Sequence, residues 1–291
     1  MSTAVASGGA QARVDEGPVL RQLARIQAKR FASHPLYLSG VALLLVTMTQ
    51  MYDDAGKDLE AFTGPVVVAF FVGVFGAIVA FRLTATEQRA LDLVSGTPVS
   101  ATTRTLALCA ACVVPAATGL LWLVYRLVTL AFWPIKPELL EAIGGWVPAL
   151  AALISASVVA AVGGPLLGVA VGRWWRFPGA GLLLVVVLVV PCFVFAGGGV
   201  DQTLYDNPLM RLATTAMPYT MWTVSSDGDT LIGARSGSPV GYLVYTALLC
   251  GLAVWAAVMK DAEGETRARW TRYGAFLGGG AVLAYLWALL G

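Results

Sequence analysis

The residues of this chain best suited to a specific contact lie in one short segment, Glu87–Ser100, between the apolar runs Gly64–Phe81 and Thr105–Trp133. Both runs can cross a bilayer, so the segment is expected to be a tight loop on one membrane face. Gly96 can end a helix and Pro98 cannot continue one, which predicts a short helix with a definite stop. Charged side chains on such a helix favour recognition of a partner over catalysis. These side chains are Glu87, Arg89 and Asp92.

The same short helix has an apolar face beside its charges. Helical spacing places Leu91 and Val94 on one face, with Leu93 near its edge. A helix of this kind offers both polar contacts and an apolar anchor to a groove in another protein. The plainer alternative is an ordinary turn at the membrane surface, with charges that are only solvated.

The segment resembles a motif in the permease subunits of type-2 ABC exporters. In that family, a Glu, an acidic-Leu pair and a Thr-Pro-x-Ser sequence lie between the second and third membrane helices. The corresponding elements here are Glu87, Asp92-Leu93 and Thr97-Pro98-Val99-Ser100. This chain departs from the family at Ala90-Leu91, where the family often has Gly-Thr.

The resemblance implies a six-helix permease core in which residues 84–103 contain the coupling helix. In the family that helix sits in a groove of a separate ATP-binding subunit. ATP and Mg²⁺ are therefore expected in that partner pair, and no cofactor is expected in this chain. A second copy, or a related permease, is expected to complete the transporter. The resemblance assigns the contacts with the ATP-binding subunit to Glu87, Arg89, Leu91, Asp92, Leu93, Val94, Thr97, Pro98 and Ser100.

The composition excludes a soluble domain. Hydrophobic residues make up 58% of the chain, charged residues only 12%, and the mean hydropathy is +0.75. Soluble globular chains carry about 25% charged residues, so an all-α polytopic membrane protein is predicted. The four cysteines lie within apolar runs and are interpreted as small hydrophobic residues without a disulfide. The sequence has no G-x-x-x-x-G-K-[ST] loop and no Ser/His/Asp set, so the chain is not expected to be an enzyme.

The N-terminal region divides into a tail and a basic helix. Residues 1–16 are small and polar and are predicted to be a disordered cytoplasmic tail. Residues 17–34 have helical periodicity, with Arg21, Arg25 and Lys29 forming one stripe at four-residue spacing. This pattern predicts an interfacial helix on an anionic leaflet, which the resemblance identifies as a connecting helix. A basic helix that only sets topology is the alternative.

Seven apolar runs are candidates for membrane spans. Six lie in residues 35–259, which form the predicted permease core. Its outer loop, residues 197–239, is expected to contain two short helices. Residues 260–291 are predicted to be a charged linker and a seventh transmembrane helix, which departs from the six implied by the resemblance. The predicted spans are Pro35–Tyr52, Thr63–Phe81, Thr105–Trp133, Ile143–Val171, Pro178–Ala196, Val240–Met259 and Gly274–Leu290.

The distribution of Lys and Arg predicts the orientation. These residues are concentrated in the N-terminal region and in alternate loops. By the positive-inside rule, the N-terminus and Glu87–Ser100 therefore lie in the cytoplasm. The chain is predicted to be a multi-pass protein of the cell membrane.

One basic residue, Arg126, lies inside a predicted span. Charges within a membrane are costly and usually functional, so Arg126 is a candidate for lining a substrate pathway or binding an anionic headgroup. The alternative is that its side chain extends to the outer interface beside Tyr125 and Trp133.

These patterns together predict the transmembrane subunit of an ATP-driven exporter of a lipid, a peptide or a drug-like molecule. Membrane lipids are expected partners, and nucleic acid is not. The alternative is a membrane scaffold or sensor subunit that anchors a partner protein without moving substrate. A secondary transporter is disfavoured because the spans carry no relay of acidic and basic residues and no visible internal repeat.

Overall fold

The computed structural model is predominantly helical and describes residues 16–50, 65–93, 99–132, 134, 137–175, 177, 179–196, 208–216, 224–227, 230–234 and 237–291. The helices before residue 145 are α1 (Glu16–Ala32), α2 (Pro35–Gln50), α3 (Pro65–Val68), α4 (Phe75–Leu93), α5 (Ala101–Ala111), α6 (Val113–Phe132) and α7 (Pro137–Ala142). The later helices are α8 (Trp146–Ile154), α9 (Ala160–Trp174), α10 (Ala180–Ala196), α11 (Pro208–Ala216), α12 (Pro239–Met259) and α13 (Gly264–Leu290). The π-helical turns Ala69–Val74 and Ser155–Val159 join α3 to α4 and α8 to α9.

Several helices have the length and hydropathy needed to cross a membrane, as predicted. Among the described residues there are five, and counting α1 and α2, which meet at a bend of 58°, as one broken span raises the number to six. The apolar part of α10, Ala180–Val190, is shorter. The polytopic helical class is therefore confirmed, with five or six membrane-length helices. The five are Ala69–Ala90, Ala101–Phe132, Trp146–Trp174, Pro239–Met259 and Gly264–Leu290.

The predicted outer loop, residues 197–239, is not purely helical. Its described residues form α11 and an antiparallel hairpin of β1 (Val224–Asp227) and β2 (Thr230–Ala234), where two short helices were predicted. The sequence Asp227-Gly228 is typical of a tight hairpin turn and was the available signal for these strands. The helix α11 is fixed to the bundle because Tyr245 and Tyr285 donate hydrogen bonds to the carbonyls of Ala216 and Leu212, at 3.1 and 2.9 Å.

The N-terminal helix α1 packs along α5. It ends just before His34, whose Nδ1 accepts a hydrogen bond from the backbone N–H of Leu36 at 3.2 Å and so caps the start of α2. Phe31 is buried and lies edge-on to Tyr37, with 5.1 Å between the ring centroids. The hydroxyl of Tyr37 is 2.6 Å from that of Thr118 on α6. These contacts join the bend between α1 and α2 to the helix bundle.

Glycines allow α4 and α9 to pack closely against each other in the core. A Cβ at Gly168 would lie 2.2 Å from the carbonyl oxygen of Ala77, so the two backbones touch at this point. One turn further along, a Cβ at Gly172 would lie 2.9 Å from the Cβ of Thr84. Small residues at four-residue spacing permit such close packing between helices in membranes. The glycines of α9 at this spacing are Gly164, Gly168 and Gly172.

The helices α12 and α13 form a second tight antiparallel pair. A Cβ at Gly241 would lie 2.7 Å from the backbone nitrogen of Ala288, and one at Gly274 would lie 2.3 Å from the Trp255 ring. The Nε1 of Trp255 also donates to the carbonyl of Trp270 at 2.8 Å. From Gly264 onward the predicted linker and the seventh span are one continuous helix, α13, packed against its predecessor, and linker residues 260–263 lie in the turn before it.

Candidate functional site

The predicted docking residues lie at the end of α4 and the start of α5. Glu87 and Arg89 are in α4, and Leu91, Asp92 and Leu93 form its last turn. The segment therefore begins as a direct continuation of a membrane-length helix. Ser100 is the residue before α5. Val94, Thr97 and Pro98 lie outside the described residues.

Glu87 lies within a charge cluster, defined as Glu87, Arg104, Arg173 and Asp261. Its Oε1 is 3.8 Å from Nη2 of Arg173 and 3.9 Å from Nε of Arg104. The Nη1 of Arg173 is 3.5 Å from Oδ2 of Asp261. The Thr105 hydroxyl donates to this same aspartate oxygen at 3.1 Å. The carboxylate of Glu87 thus faces the interior of the bundle.

Burial determines how these charges interact. The Arg173 side chain is only 3% exposed, whereas those of Glu87 and Asp261 are 14% and 21% exposed. A buried guanidinium is costly unless opposite charges compensate it. Two carboxylates flank Arg173, and the two guanidinium groups of the cluster balance them in formal charge. The loss of one member therefore leaves a partly or fully buried charge without its opposite charge, which lowers the stability of the fold.

Four parts of the chain meet at the charge cluster. They are the end of α4, the start of α5, the end of α9 and the turn between α12 and α13. A second set of contacts joins α9 to α12 beside it. The Nε1 of Trp174 donates to the carbonyl of Ala256 at 2.7 Å, and Nζ of Lys260 lies 5.0 Å from the centroid of the Trp174 ring. The helix ends at this side of the bundle are therefore cross-linked through side chains.

The far end of the 84–103 segment is anchored by a different kind of contact. The Ser100 hydroxyl accepts a hydrogen bond from the backbone N–H of Thr103 at 3.1 Å and so caps α5. The hydroxyls of Ser100 and Thr103 both donate to Oε2 of Glu16 on α1, at 3.0 Å for Ser100. A carboxylate is favourable at the N-terminus of a helix because the unpaired N–H groups there are partly positive.

The other predicted residues are placed as follows. Arg21, Arg25 and Lys29 are all exposed on α1, which leaves them accessible for the predicted contact with anionic lipid. Arg126 is half-buried on α6, and its carbonyl accepts a hydrogen bond from the Thr129 hydroxyl at 2.8 Å. Roles at the membrane surface and in a pathway stay predictions for these residues.

Sequence reasoning did not identify three members of the cluster: Arg104, Arg173 and Asp261. For Arg173 a signal exists, because it directly follows the stripe of glycines that ends at Gly172. Asp261 lies beside Lys260 in a charged linker and carries no comparable signal. In the part of the chain that the structure describes, no group of three or more His, Cys, Asp or Glu residues could hold a metal ion.

Comparison of the chain with models of protein families, with curated proteins and with solved structures finds no match. The similarity of Glu87–Ser100 to the exporter motif therefore stays a prediction from the sequence.

Proposed function

We propose that this chain is a membrane-spanning permease subunit of an ATP-driven exporter of the type-2 ABC class. The observation that best supports this proposal is the connection between the motif and the bundle. The segment that resembles a coupling helix begins in α4, and Glu87 in that helix is paired with charges on α5 and α9. A displacement of the segment would be passed to several spans at once.

Stiffness is the physical requirement for such coupling. An ATP-binding subunit that closes on ATP can move a membrane helix only if the docked segment is continuous with that helix. The end of α4 fulfils this requirement because it extends without a break from Phe75 to Leu93. The close contact of α4 with α9 at Gly168 and Ala77 would carry the same movement into a second helix.

The proposed assembly contains two permease copies, or one copy and a relative, and a pair of ATP-binding subunits that hold ATP and Mg²⁺. The cargo is a lipid, a peptide or a drug-like molecule, which passes between the two permease halves. The N-terminus and the 84–103 segment lie in the cytoplasm, in accordance with the distribution of Lys and Arg. The helix α1 lies near the membrane surface, where its exposed Arg21, Arg25 and Lys29 contact anionic lipid.

In the proposed permease, α2 and the shorter α10 cross the membrane in addition to the five long apolar helices, which gives seven spans and places the end of α13 outside the cell. A single cysteine introduced at Gly291, in a chain whose native cysteines are replaced, tests this arrangement in intact cells. Labelling by a membrane-impermeant maleimide is expected. Protection from the reagent until the membrane is permeabilised would exclude a seventh span.

The decisive experiment combines capture of the ATP-binding subunit with variants of the segment. Asp92→Arg reverses a predicted docking charge, and Leu91→Asp places a charge in the predicted apolar anchor. Both are expected to abolish substrate-stimulated ATP hydrolysis by the complex while the chain still inserts into the membrane. Glu265→Arg is the matched control, because it reverses an exposed acidic residue in the first turn of α13.

Two results would contradict the proposal. One is a wild-type chain that captures no ATP-binding subunit from the membranes of the cells that make it. The other is stimulated hydrolysis that is unchanged in both segment variants. Capture of an ATP-binding subunit without transport of any substrate would instead favour the scaffold or sensor alternative.

A further inference from the structure

We propose that Asp261 is a positioning residue for the 84–103 segment, acting through Arg173 on Glu87. Asp261 lies in the turn between α12 and α13, far from the segment along the chain. It belongs to the part of the protein that departs from a six-helix permease. Any consequence for transport rests on the proposed function, whereas the structural effect does not.

Arg173 is shared between two carboxylates. Its Nη1 lies 3.5 Å from Asp261, and its Nη2 lies 3.8 Å from Glu87. A guanidinium is planar and rigid, so its two terminal nitrogens move together and a shift of one displaces the other. Asp261 therefore helps to position the second nitrogen of Arg173 against Glu87.

Contacts other than the one with Arg173 also hold Asp261 in place. Its Oδ2 accepts a hydrogen bond from the Thr105 hydroxyl at 3.1 Å, and its backbone N–H bonds to the carbonyl of Val258 at 3.1 Å. Lys260, the preceding residue, lies over the ring of Trp174 on α9. The carboxylate thus occupies a fixed position, which is what a positioning residue requires.

The helix α13 fixes the turn from its other side. The Trp255 ring fits against Gly274, where a Cβ would approach it to 2.3 Å. The turn between α12 and α13 cannot shift without separating these two surfaces. The additional C-terminal helix thereby contributes to the geometry at the end of α4.

The test is hydrogen–deuterium exchange on the full-length chain in lipid nanodiscs, with no partner present. Asp261→Asn keeps the shape of the side chain and removes its charge. It is expected to accelerate exchange about tenfold in residues 87–93, where amide exchange reports local opening. Glu263→Gln is the matched control, because it removes an exposed negative charge from the same turn and should leave this exchange unchanged. Asp261→Glu keeps the charge and should restore most of the protection.

A second variant keeps the inference testable if the Asp261→Asn chain does not fold. Thr105→Val removes the hydroxyl that holds Asp261 and leaves every charge in place, so a smaller increase of about threefold is expected in residues 87–93. Wild-type exchange in both variants would overturn the inference. An increase confined to residues 258–265 would also overturn it, because Asp261 would then stabilise only its own turn.

The exchange data decide this inference without any partner protein. The proposed function is judged separately, by capture of an ATP-binding subunit and by its stimulated hydrolysis. If Asp261→Asn releases the end of α4 but the wild-type chain captures no ATP-binding subunit, the proposed function fails and the positioning role stands. If stimulated hydrolysis is present and Asp261→Asn changes neither exchange nor stimulation, the positioning role fails and the function stands.

Discussion

The two flanks of the 84–103 segment are anchored in opposite ways. On the N-terminal flank, Glu87 meets Arg173, whose side chain is almost completely buried, in a cluster that joins four parts of the chain. On the C-terminal flank, Ser100 caps α5 and is joined to Glu16, an exposed residue in the first turn of α1. One anchor is a set of charges centred on the buried Arg173, and the other is a set of hydrogen bonds centred on the exposed Glu16, where water can compete.

This difference has a mechanical meaning. Charges in a region of low dielectric interact strongly and leave large penalties when separated, so the N-terminal flank resists movement relative to the bundle. The exposed carboxylate of Glu16 can exchange its protein partners for water at little cost, so the C-terminal flank tolerates adjustment. We infer that force applied to the segment passes chiefly through α4, while the start of α5 accommodates the change.

The largest effect is expected from Arg173→Leu. The substitution leaves Glu87 and Asp261 facing each other without their shared cation, and removing one partner of a buried pair typically costs about 3–5 kcal/mol. The apparent Tm of the purified chain in detergent should fall by on the order of 10 °C. Thermal unfolding followed by circular dichroism measures this change.

The double variant Arg173→Leu and Asp261→Asn serves as the control for this prediction. It removes one cation and one anion and leaves Glu87 with Arg104, so the remaining charges still balance and most of the stability should return. A single Arg173→Leu variant as stable as the wild type would show that the N-terminal flank is no more rigid than the C-terminal flank. The contrast between the two flanks would then be lost.

A substitution in the core, away from the charge cluster, also tests the N-terminal flank. Gly168→Ala would place a methyl group 2.2 Å from the carbonyl of Ala77 and push α9 away from α4, which separates Arg173 from Glu87. Overpacking of this kind typically costs about 1–3 kcal/mol. Gly279→Ala is the control, because a Cβ there meets no atom of the described residues within 4 Å and alanine favours a helix. Equal Tm values for the two variants would contradict a close contact between α4 and α9.

Local patterns in the sequence predicted much of the fold. The helix α12 begins and ends within one residue of the predicted span, because its apolar run has Ser238-Pro239 before it and charges after it. The basic stripe of α1 was visible from four-residue spacing alone. These features depend on neighbours along the chain, so periodicity, caps and charge placement are sufficient to find them.

The pairings within the site depend on the packing of helices and could not be predicted in this way. Thr105 and Asp261 share a hydrogen bond across 156 positions of sequence. The glycines of α9 indicate that another helix comes close, but not that α4 is the partner. From the sequence, Glu87 is predicted to face water. Its partners Arg104 and Arg173 lie on two other helices, and local sequence patterns do not show how these helices pack. The connection of the segment to the bundle therefore had to come from the structure.

The C-terminal flank should respond more weakly to the loss of its cap. Ser100→Ala removes the acceptor for the Thr103 N–H, and such a change typically costs about 1 kcal/mol. Hydrogen exchange should accelerate in residues 101–104 and stay unchanged in residues 87–93. Thr86→Ala is the matched control, since that hydroxyl donates to the Arg82 carbonyl of its own helix. Faster exchange on both flanks would mean that the two anchors are not independent.

The smallest effect is expected from Glu16→Gln, which separates the two roles of this carboxylate. Glu16 is acidic and lies in the first turn of α1, so it stabilises that helix, and it also accepts the hydroxyls of Ser100 and Thr103. Glu265→Gln removes a charge at the same kind of position on α13, and so measures the helix-terminal contribution alone. Because glutamine retains one oxygen acceptor at an exposed site, exchange in residues 101–104 should rise less than in Ser100→Ala and more than in Glu265→Gln. A fall in the apparent Tm as large as that of Arg173→Leu would show that α1 holds the segment as firmly as the buried charges do. Force on the segment would then pass into the bundle through both α1 and α4.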